Sequence, residues 1–348
     1  MKKLKIILKP IIFLLIFAAI FSYLSNLFCR KTLDGAWNHT QKISGFYNEP
    51  KNEFDIMYFG SSNTYCSFNP LVLYAEIGIK SYILATQQQP VWASYEYMKE
   101  ALKTQKPKLL VMDILMFSKN QDYYDDGVNY SFMDDIPLSE NKIQLAAASA
   151  PDLEGRVRLL VNFIKYHSRW SELTEEDYKF RRSETRDYLK GYVLLEDTFA
   201  DAVAPNFDTS ETAPLGEKEI EYFHKIVSLA KEHNIPLLFV KTPSNVLADD
   251  QKLFNSVSRL AEESGVEFID YNKQYERIGL VMNEDFYDKS HLNYKGAEKF
   301  TQTFSKDIAY FFPELVSKKF KDAAWDSDLD EYYRTVTELN YAKQPAKS

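Results

Sequence analysis

Two short motifs, far apart in the chain, contain the side-chain types of a nucleophilic serine site. Residues 60–64 read Gly-Ser-Ser-Asn-Thr, and residues 288–291 read Asp-Lys-Ser-His. A serine hydroxyl becomes an effective nucleophile when an imidazole accepts its proton, and a carboxylate on the other ring nitrogen holds that imidazole in place. Either motif alone is common in turns and loops. Together they predict a site of Ser62, His291 and Asp288, provided that the fold brings them together.

The elements that would position these residues are short buried strands separated by helical patterns. Trp92, Tyr95, Met98 and Leu102 illustrate the helical spacing, which recurs between the later strands and once more before Pro313. Alternating strands and helices predict a three-layer α/β/α fold with a five-stranded parallel sheet. Ser62 would then lie at the carboxyl edge of the sheet, where such folds gather their sites. The five predicted strands are 55–59, 81–84, 109–115, 236–240 and 266–270.

Two regions depart from this alternation. Residues 117–215 separate the third and fourth strands and are too long for a plain connection, so we interpret them as a mostly helical insertion and a candidate lid. After the α/β domain, predicted for 51–312, the tail 313–348 carries an amphipathic helical pattern and is expected to pack back onto the domain. We expect residues 32–50 to be a linker.

The amino-terminal segment 1–31 differs from the rest in composition. It holds six basic residues and no acidic one, and residues 10–29 are uncharged. As a helix this stretch would be about 30 Å long, enough to cross a bilayer core. A cleaved signal peptide would have a shorter apolar region, followed by small residues at its cleavage site, and this segment has neither feature. Four lysines precede the stretch and two basic residues follow it, which predicts a single-pass anchor in the cell membrane with a cytoplasmic amino terminus.

Composition excludes several other functions. Beyond residue 31 the chain has 36 basic and 50 acidic residues, a net charge of −14, which argues against nucleic acid as a partner. Cys66 is the only cysteine there, so no internal disulfide is expected. The sequence contains no metal-ligand cluster, phosphate loop or dinucleotide fingerprint, and we predict neither a cofactor nor a metal.

The order and placement of the two motifs resemble the SGNH/GDSL hydrolase superfamily, whose nucleophile motif follows the first strand and whose Asp-x-x-His motif precedes the last helix. The resemblance extends over roughly residues 50–312 without the insertion. It implies a flavodoxin-like SGNH fold with Ser62 as nucleophile, His291 as general base and Asp288 as its orienting partner. The α/β-hydrolase pattern Gly-x-Ser-x-Gly is absent, because Thr64 occupies the place of its second glycine.

The chain departs from the SGNH pattern at the oxyanion donors. The family typically supplies the nucleophile's own N–H, a glycine after the second strand and an asparagine after the third. Neither the glycine nor the asparagine stands at its place here. Losing one such donor costs about 2.7–4 kcal/mol of transition-state stabilisation in other enzymes. The candidates for oxyanion or substrate contacts are Gly60, Ser61, Asn63, Thr86 and Gln87.

With its single predicted span, the chain resembles the membrane-tethered SGNH proteins, DltD-like or involved in polysaccharide O-acetylation, that act with a membrane-bound O-acyltransferase. This resemblance implies a serine-dependent O-acyl transferase or esterase outside the cytoplasm, with acetyl the expected group. Its substrate would be a cell-surface polysaccharide or teichoic-acid-like polymer, and Ser62 would carry the acyl group. The alternative is a non-catalytic SGNH-fold scaffold of a cell-envelope acylation complex, which the missing oxyanion residues favour.

Overall fold

The structure, a computed structural model, contains one five-stranded sheet in its described residues. All strands run parallel, in the order β2-β1-β3-β4-β5. The strands are β1 (Ile56–Gly60), β2 (Ser81–Ala85), β3 (Leu109–Asp113), β4 (Leu237–Lys241) and β5 (Glu267–Asp270). The described residues are 2–35, 38–200, 209–244, 248–316 and 321–342.

The described part of the chain contains sixteen α-helices. The first eight are α1 (Lys2–Phe28), α2 (His39–Asn48), α3 (Ser62–Ser67), α4 (Pro70–Ile77), α5 (Val91–Leu102), α6 (Asp126–Met133), α7 (Glu140–Ser149) and α8 (Leu153–Leu160). The others are α9 (Asn162–Tyr166), α10 (Glu175–Lys179), α11 (Glu217–Glu232), α12 (Ala248–Ser264), α13 (Tyr275–Ile278), α14 (Met282–Asp285), α15 (Tyr294–Phe311) and α16 (Ala323–Ala342).

The predicted fold class is confirmed. Every residue of β1 to β4 is buried, which requires helices on both faces of the sheet and explains why these strands are apolar runs without alternation. The edge strand β5 is only partly buried. Strand β1 pairs with both β2 and β3, so the direction in which strands are added reverses at β1. Open parallel sheets bind their ligands at this reversal, beyond the carboxyl ends of the strands.

The strand predicted for 109–115 is shorter in the structure and ends at Asp113. The carboxylate of Asp113 accepts hydrogen bonds from the N–H of Leu115 at 3.0 Å and from the N–H of Thr242 at 2.9 Å. These bonds turn the chain into a short 3-10 helix, Leu115–Ser118. The apolar run therefore continues past the strand because the 3-10 helix is also mostly buried.

Residues 32–50, expected to be a linker, contain the packed helix α2. Ile43 and Phe46 of α2 are buried in the core, and the Phe46 ring lies 5.5 Å from the ring of Tyr82 on β2. The linker expectation was therefore wrong for this helix. The sequence of α2 does not show an apolar helical pattern, because its buried positions include a lysine and a threonine that are hydrogen-bonded or packed inside the protein.

The carboxyl-terminal helix α16 packs against the domain through its aromatic residues. Trp325 is buried, and its ring lies 5.2 Å from Tyr74 on α4. Its indole N–H donates to Glu53 at 2.9 Å. The helix therefore covers the outside of α4 and extends the packed group formed by α4 and α15.

The apolar helix α1 and the insertion lie against each other. Residues Leu8–Phe28 form the one helix in the described residues that is long and apolar enough to cross a membrane. The insertion contributes helices α6 to α10, of which α9 and α10 pack on α1. The insertion thus connects the end of the apolar helix to the α/β domain.

Candidate active site

The turn after β1 depends on a glycine. Gly60 has a φ of +147°, and a Cβ added there would lie 2.1 Å from the Thr64 hydroxyl oxygen. Only glycine fits this conformation without strain. The chain can therefore pass directly from β1 into α3, with Ser61 as the extended N-cap and Ser62 as the first helical residue. A second helix, α4, follows α3 and begins at Pro70, where the Asn69 side chain caps it.

Ser62, His291 and Asp288 meet at the carboxyl edge of the sheet. His291 Nε2 lies 2.8 Å from Ser62 Oγ, and His291 Nδ1 lies 2.8 Å from the nearer oxygen of Asp288. With Nδ1 protonated, the ring donates to the carboxylate and leaves Nε2 as the acceptor for the serine proton. The side chains of His291 and Asp288 are 13% and 41% exposed, so the site opens to solvent on the Asp288 side.

The carboxylate of Asp288 is held in its charged form. Burial raises the pKa of Asp288, but hydrogen bonds from the His291 ring and from the N–H groups of Ser290 and His291 outweigh burial and lower the pKa below its ordinary value. An ionised Asp288 favours a proton on Nδ1 and stabilises the imidazolium that forms when His291 accepts a second proton. The charge state therefore suits a general base at His291.

Side-chain and backbone hydrogen bonds fix the loop 287–293, which carries His291, against α3. The Asn63 side chain donates to the Ser290 carbonyl at 3.1 Å, so α3 is tied to the residue before His291. The Tyr287 N–H donates to the His291 carbonyl at 2.9 Å. Asn293 caps α15 by accepting from the N–H groups of the second and third helical residues. The loop thus lies between two hydrogen-bonded anchors, which sets the distance from His291 to Ser62.

Tyr65 is a neighbour of Ser62 that the sequence did not single out. It lies one helical turn after Ser62 on α3 and is 1% exposed, and its phenol interacts with the Ser62 hydroxyl. When Ser62 gives its single proton to His291, we expect the Tyr65 O–H to donate to Ser62 Oγ. Burial raises the pKa of Tyr65 well above its ordinary value, so this donor keeps its proton. The signal available in the sequence was the i, i+3 spacing.

We expect Tyr65→Phe to lower kcat for ester hydrolysis roughly fivefold, which corresponds to the loss of a hydrogen bond of about 1 kcal/mol. The substitution keeps the buried ring and removes only the hydroxyl. The assay is steady-state hydrolysis of an aryl acetate by the full-length protein in detergent. Tyr192→Phe is the matched control, because Tyr192 is also fully buried and its hydroxyl makes no hydrogen bond among the described residues. Equal rates for both variants would contradict a role for the Tyr65 hydroxyl.

A buried lysine lies over the ring of Tyr65. Lys42 on α2 is 1% exposed, and its Nζ is 3.3 Å from the centroid of the Tyr65 ring. Burial lowers the pKa of Lys42 to about 7, with Cys66 and Asp187 acting in the opposite direction. Lys42 thus connects α2 to α3 by a cation–π contact with Tyr65.

The buried lysine predicts a pH-dependent stability. Between a folded pKa of about 7 and the ordinary value near 10.5, the unfolded chain binds more protons than the folded one, so stability rises with pH by up to about 1.4 kcal/mol per unit. The contribution is complete above pH 10.5 and is lost as the pH falls through 7. Denaturant unfolding between pH 7 and 9 should show a steeper increase for the wild type than for Lys42→Met. The exposed Lys51→Met variant should follow the wild type, and parallel curves for all three would refute the effect.

The other candidate residues have different surroundings. The Thr86 hydroxyl donates to the Gln89 side chain at 3.2 Å, and the side chain of Ser61 is buried with no hydrogen-bond partner among the described residues. Gln87 lines a cavity of about 420 Å³ together with Arg30 at the end of α1. In the hydrogen bonds of the described residues, neither Thr86 nor Gln87 meets Ser62. Ser62 is the first residue of α3, so its N–H has no acceptor within the helix and is available as an oxyanion donor.

Asp113, the last residue of β3, has a structural role. Its buried carboxylate accepts from the Thr242 hydroxyl at 2.7 Å, in addition to the N–H bonds that end β3. Asp113 thus joins the ends of β3 and β4 and is not a side-chain donor to a substrate oxyanion. No group of three or more His, Cys, Asp or Glu side chains in the described ranges is arranged to hold a metal ion.

No curated protein was found to match the chain. A family model without a descriptive name matches residues 174–313, less than half of the chain. Among solved structures, the chain is similar to an acylhydrolase candidate from Bacteroides fragilis, with 12% identity and a TM-score of 0.37 over 78% of this chain and 94% of that one.

Two further solved structures are similar at the same low level. One is a gut microbial diltiazem-metabolizing enzyme, with 11% identity and a TM-score of 0.37 over 76% of this chain, which spans 48% of that enzyme. The other is an acetyl xylan esterase from the rumen bacterium Butyrivibrio proteoclasticus, with 8% identity and a TM-score of 0.31 over 75% of this chain and 65% of that one. Similarities of this degree do not assign a function, which has to follow from the geometry of the site.

Proposed function

We propose that the protein is an SGNH-type serine esterase or O-acyltransferase that works through an acyl-enzyme on Ser62. The observation that carries this proposal is the continuous chain of hydrogen bonds from Ser62 through His291 to Asp288, with both distances at 2.8 Å. The strand order β2-β1-β3-β4-β5 and the position of Ser62 directly after β1 also support the SGNH assignment.

In the proposed acylation step, Ser62 Oγ attacks the carbonyl carbon of an ester and passes its proton to His291 Nε2. The tetrahedral intermediate collapses when the ester C–O bond breaks, and the leaving alkoxide takes the proton from His291. Asp288 keeps its charge throughout and stabilises the imidazolium. The Ser62 N–H contributes to oxyanion binding, and Tyr65 donates to Ser62 Oγ before attack.

In the second step, an acceptor hydroxyl attacks the Ser62 ester and His291 removes its proton. Water as acceptor gives an esterase, and a carbohydrate hydroxyl gives a transferase, because both reactions share the same acyl-enzyme. We propose acetyl as the acyl group and a cell-surface polysaccharide or teichoic-acid-like polymer as the carbohydrate. A membrane-bound O-acyltransferase is the proposed partner that supplies the acyl group.

The proposed location follows from the apolar helix α1. Its length and composition fit a membrane span, and the excess of lysines before it favours a cytoplasmic amino terminus. The α/β domain would then work outside the cytoplasm, beside the membrane. This location gives the site access to envelope polymers.

The experiment that tests the proposal is detection of the acyl-enzyme. Full-length protein is mixed with an aryl acetate, quenched in acid, digested and examined by mass spectrometry. We expect one acetyl group on the peptide that contains Ser62, and none after the same treatment of Ser62→Ala. Adding an oligosaccharide acceptor should remove the acetyl faster than water alone if the enzyme is a transferase.

A non-catalytic scaffold is the second candidate. It is favoured by the engagement of Thr86 and Asp113 in internal hydrogen bonds, which leaves the oxyanion site without the family's two additional donors. A scaffold would bind acylated glycan without turnover. Absence of the acetylated peptide at every quench time, together with glycan binding that is unchanged in Ser62→Ala, would establish this alternative and end the enzymatic proposal.

A further inference from the structure

The insertion exposes a group of apolar side chains beside α1. Leu153 and Val157 on α8 and Ile164 on α9 line one surface groove of about 530 Å³, and they are 75%, 39% and 46% exposed. We call these three residues the insertion patch. Contiguous exposed apolar side chains are uncommon on soluble domains and mark surfaces that contact another phase or molecule.

Ring contacts place the patch at a definite level along α1. The ring of Phe163, the residue before Ile164, lies 5.4 Å from Phe21 and 5.7 Å from Phe28. These two α1 residues are seven positions apart, or about 10 Å along the helix axis. If Leu8–Phe28 fills the hydrocarbon core, α9 lies beside the outer third of that span. Ile164 is then at the depth where lipid headgroups meet acyl chains.

Polar contacts fix the neighbouring part of the insertion at the end of α1. Arg169 donates to the Phe28 carbonyl at 2.6 Å, and Lys31 pairs with Asp177 at 3.3 Å. Trp170, which follows Arg169, is 72% exposed. Tryptophan is enriched at the membrane–water boundary, because its ring is apolar and its N–H remains hydrated. The end of α1 is therefore held by two polar contacts with the insertion, and an exposed tryptophan lies beside them.

We propose that the insertion patch and Trp170 form a membrane-interface surface that contacts the lipid around α1. The occupant we infer is lipid, because Ile164 adjoins Phe163, which packs on α1, and α1 is itself apolar and largely exposed over Leu8–Phe28. Glu154 and Arg158, which also line the groove, carry opposite charges, so contact does not require anionic lipid. The proposal needs α1 to cross the bilayer but does not depend on the chemistry at Ser62.

Depth-dependent fluorescence quenching tests this surface in the full-length chain. Ile164→Cys is labelled with an environment-sensitive fluorophore and reconstituted in phosphatidylcholine nanodiscs, with or without a lipid that carries a shallow doxyl group. The native Cys29 and Cys66 are buried, so labelling is confined to the introduced thiol. We expect the probe at 164 to lose most of its emission to the doxyl lipid and little to aqueous iodide.

The matched control is Tyr310→Cys, since Tyr310 is an exposed apolar residue on α15, which packs on α3 and α4. Its probe should respond to iodide and not to doxyl lipid. Leu153→Cys provides a second site in the patch if labelling at 164 disturbs α9. Access of iodide to both patch probes would overturn the proposal. Protection from both quenchers would overturn it as well, and would indicate that a second protein copy covers the patch.

The same measurement in the Ser62→Ala background separates the two proposals. The quenching pattern should be unchanged there, because the patch does not include the active site. Loss of the acyl-enzyme with an intact quenching pattern would end only the enzymatic proposal. Detection of the acyl-enzyme without the expected quenching pattern would end only the membrane-interface proposal.

Discussion

Ser62→Ala is expected to lower kcat for aryl acetate hydrolysis by roughly 10⁴-fold or more, since removal of a serine nucleophile leaves only binding and oxyanion effects. The same variant should lose labelling by a serine-directed fluorophosphonate. The reason is geometric: Ser62 Oγ is the hydroxyl 2.8 Å from His291 Nε2. Rates and labelling are to be compared with those of the full-length wild type under identical detergent conditions.

Ser67→Ala is the control for the serine prediction. Ser67 lies on the same short helix α3 and is also buried, but its hydroxyl has no hydrogen-bond partner among the described residues. This variant should retain activity and labelling. If Ser62→Ala were labelled as strongly as Ser67→Ala, another residue would be the nucleophile and the proposed function would fail.

His291→Ala should lower kcat to a similar extent as Ser62→Ala, because the two residues act as a unit. Without the imidazole, Ser62 has no acceptor for its proton and remains a neutral hydroxyl. Combining both substitutions should cost little more than either one, as is found when catalytic groups depend on each other. Burst kinetics and fluorophosphonate labelling of the three variants measure this non-additivity.

His224→Ala is the control for the histidine prediction, since His224 is exposed on α11 and contacts the ring of Phe223. It should behave as the wild type. A double variant whose loss of rate equals the product of the two single losses would contradict the shared role of Ser62 and His291. Normal turnover by His291→Ala would point to the scaffold alternative or to a different base.

Much of the fold could be predicted from the sequence because its strands are buried on both faces. Such strands appear as uninterrupted apolar runs, and four of the five are buried throughout. The end of β3 was placed too late because apolar residues continue into a buried 3-10 helix after Asp113. The hydrophobicity of a residue indicates whether it is buried but not whether it belongs to a strand. Here the hydrogen bonds of the Asp113 carboxylate determine where β3 ends.

The helix α2 was missed for the opposite reason. Its sequence looks polar, yet Lys42 is buried over an aromatic ring and Thr40 donates to the buried carboxylate of Asp135 at 3.0 Å. Long-range partners of this kind cannot be inferred from local pattern. The motif residues Ser62, His291 and Asp288 could be identified because their chemistry restricts which residues belong together. Tyr65 and Lys42 could not, since their role depends on how α2 packs against α3.

The contacts between α1 and the insertion limit where the proposed active site can work. Arg169 and Lys31 bind the end of α1 directly to the insertion, and α2 carries the chain from there into the domain core. With α1 in the bilayer, these contacts would hold Ser62 at one distance from the membrane surface. Under the proposed function, polymer segments that reach this height would be modified, and those in outer layers of the envelope would be out of range.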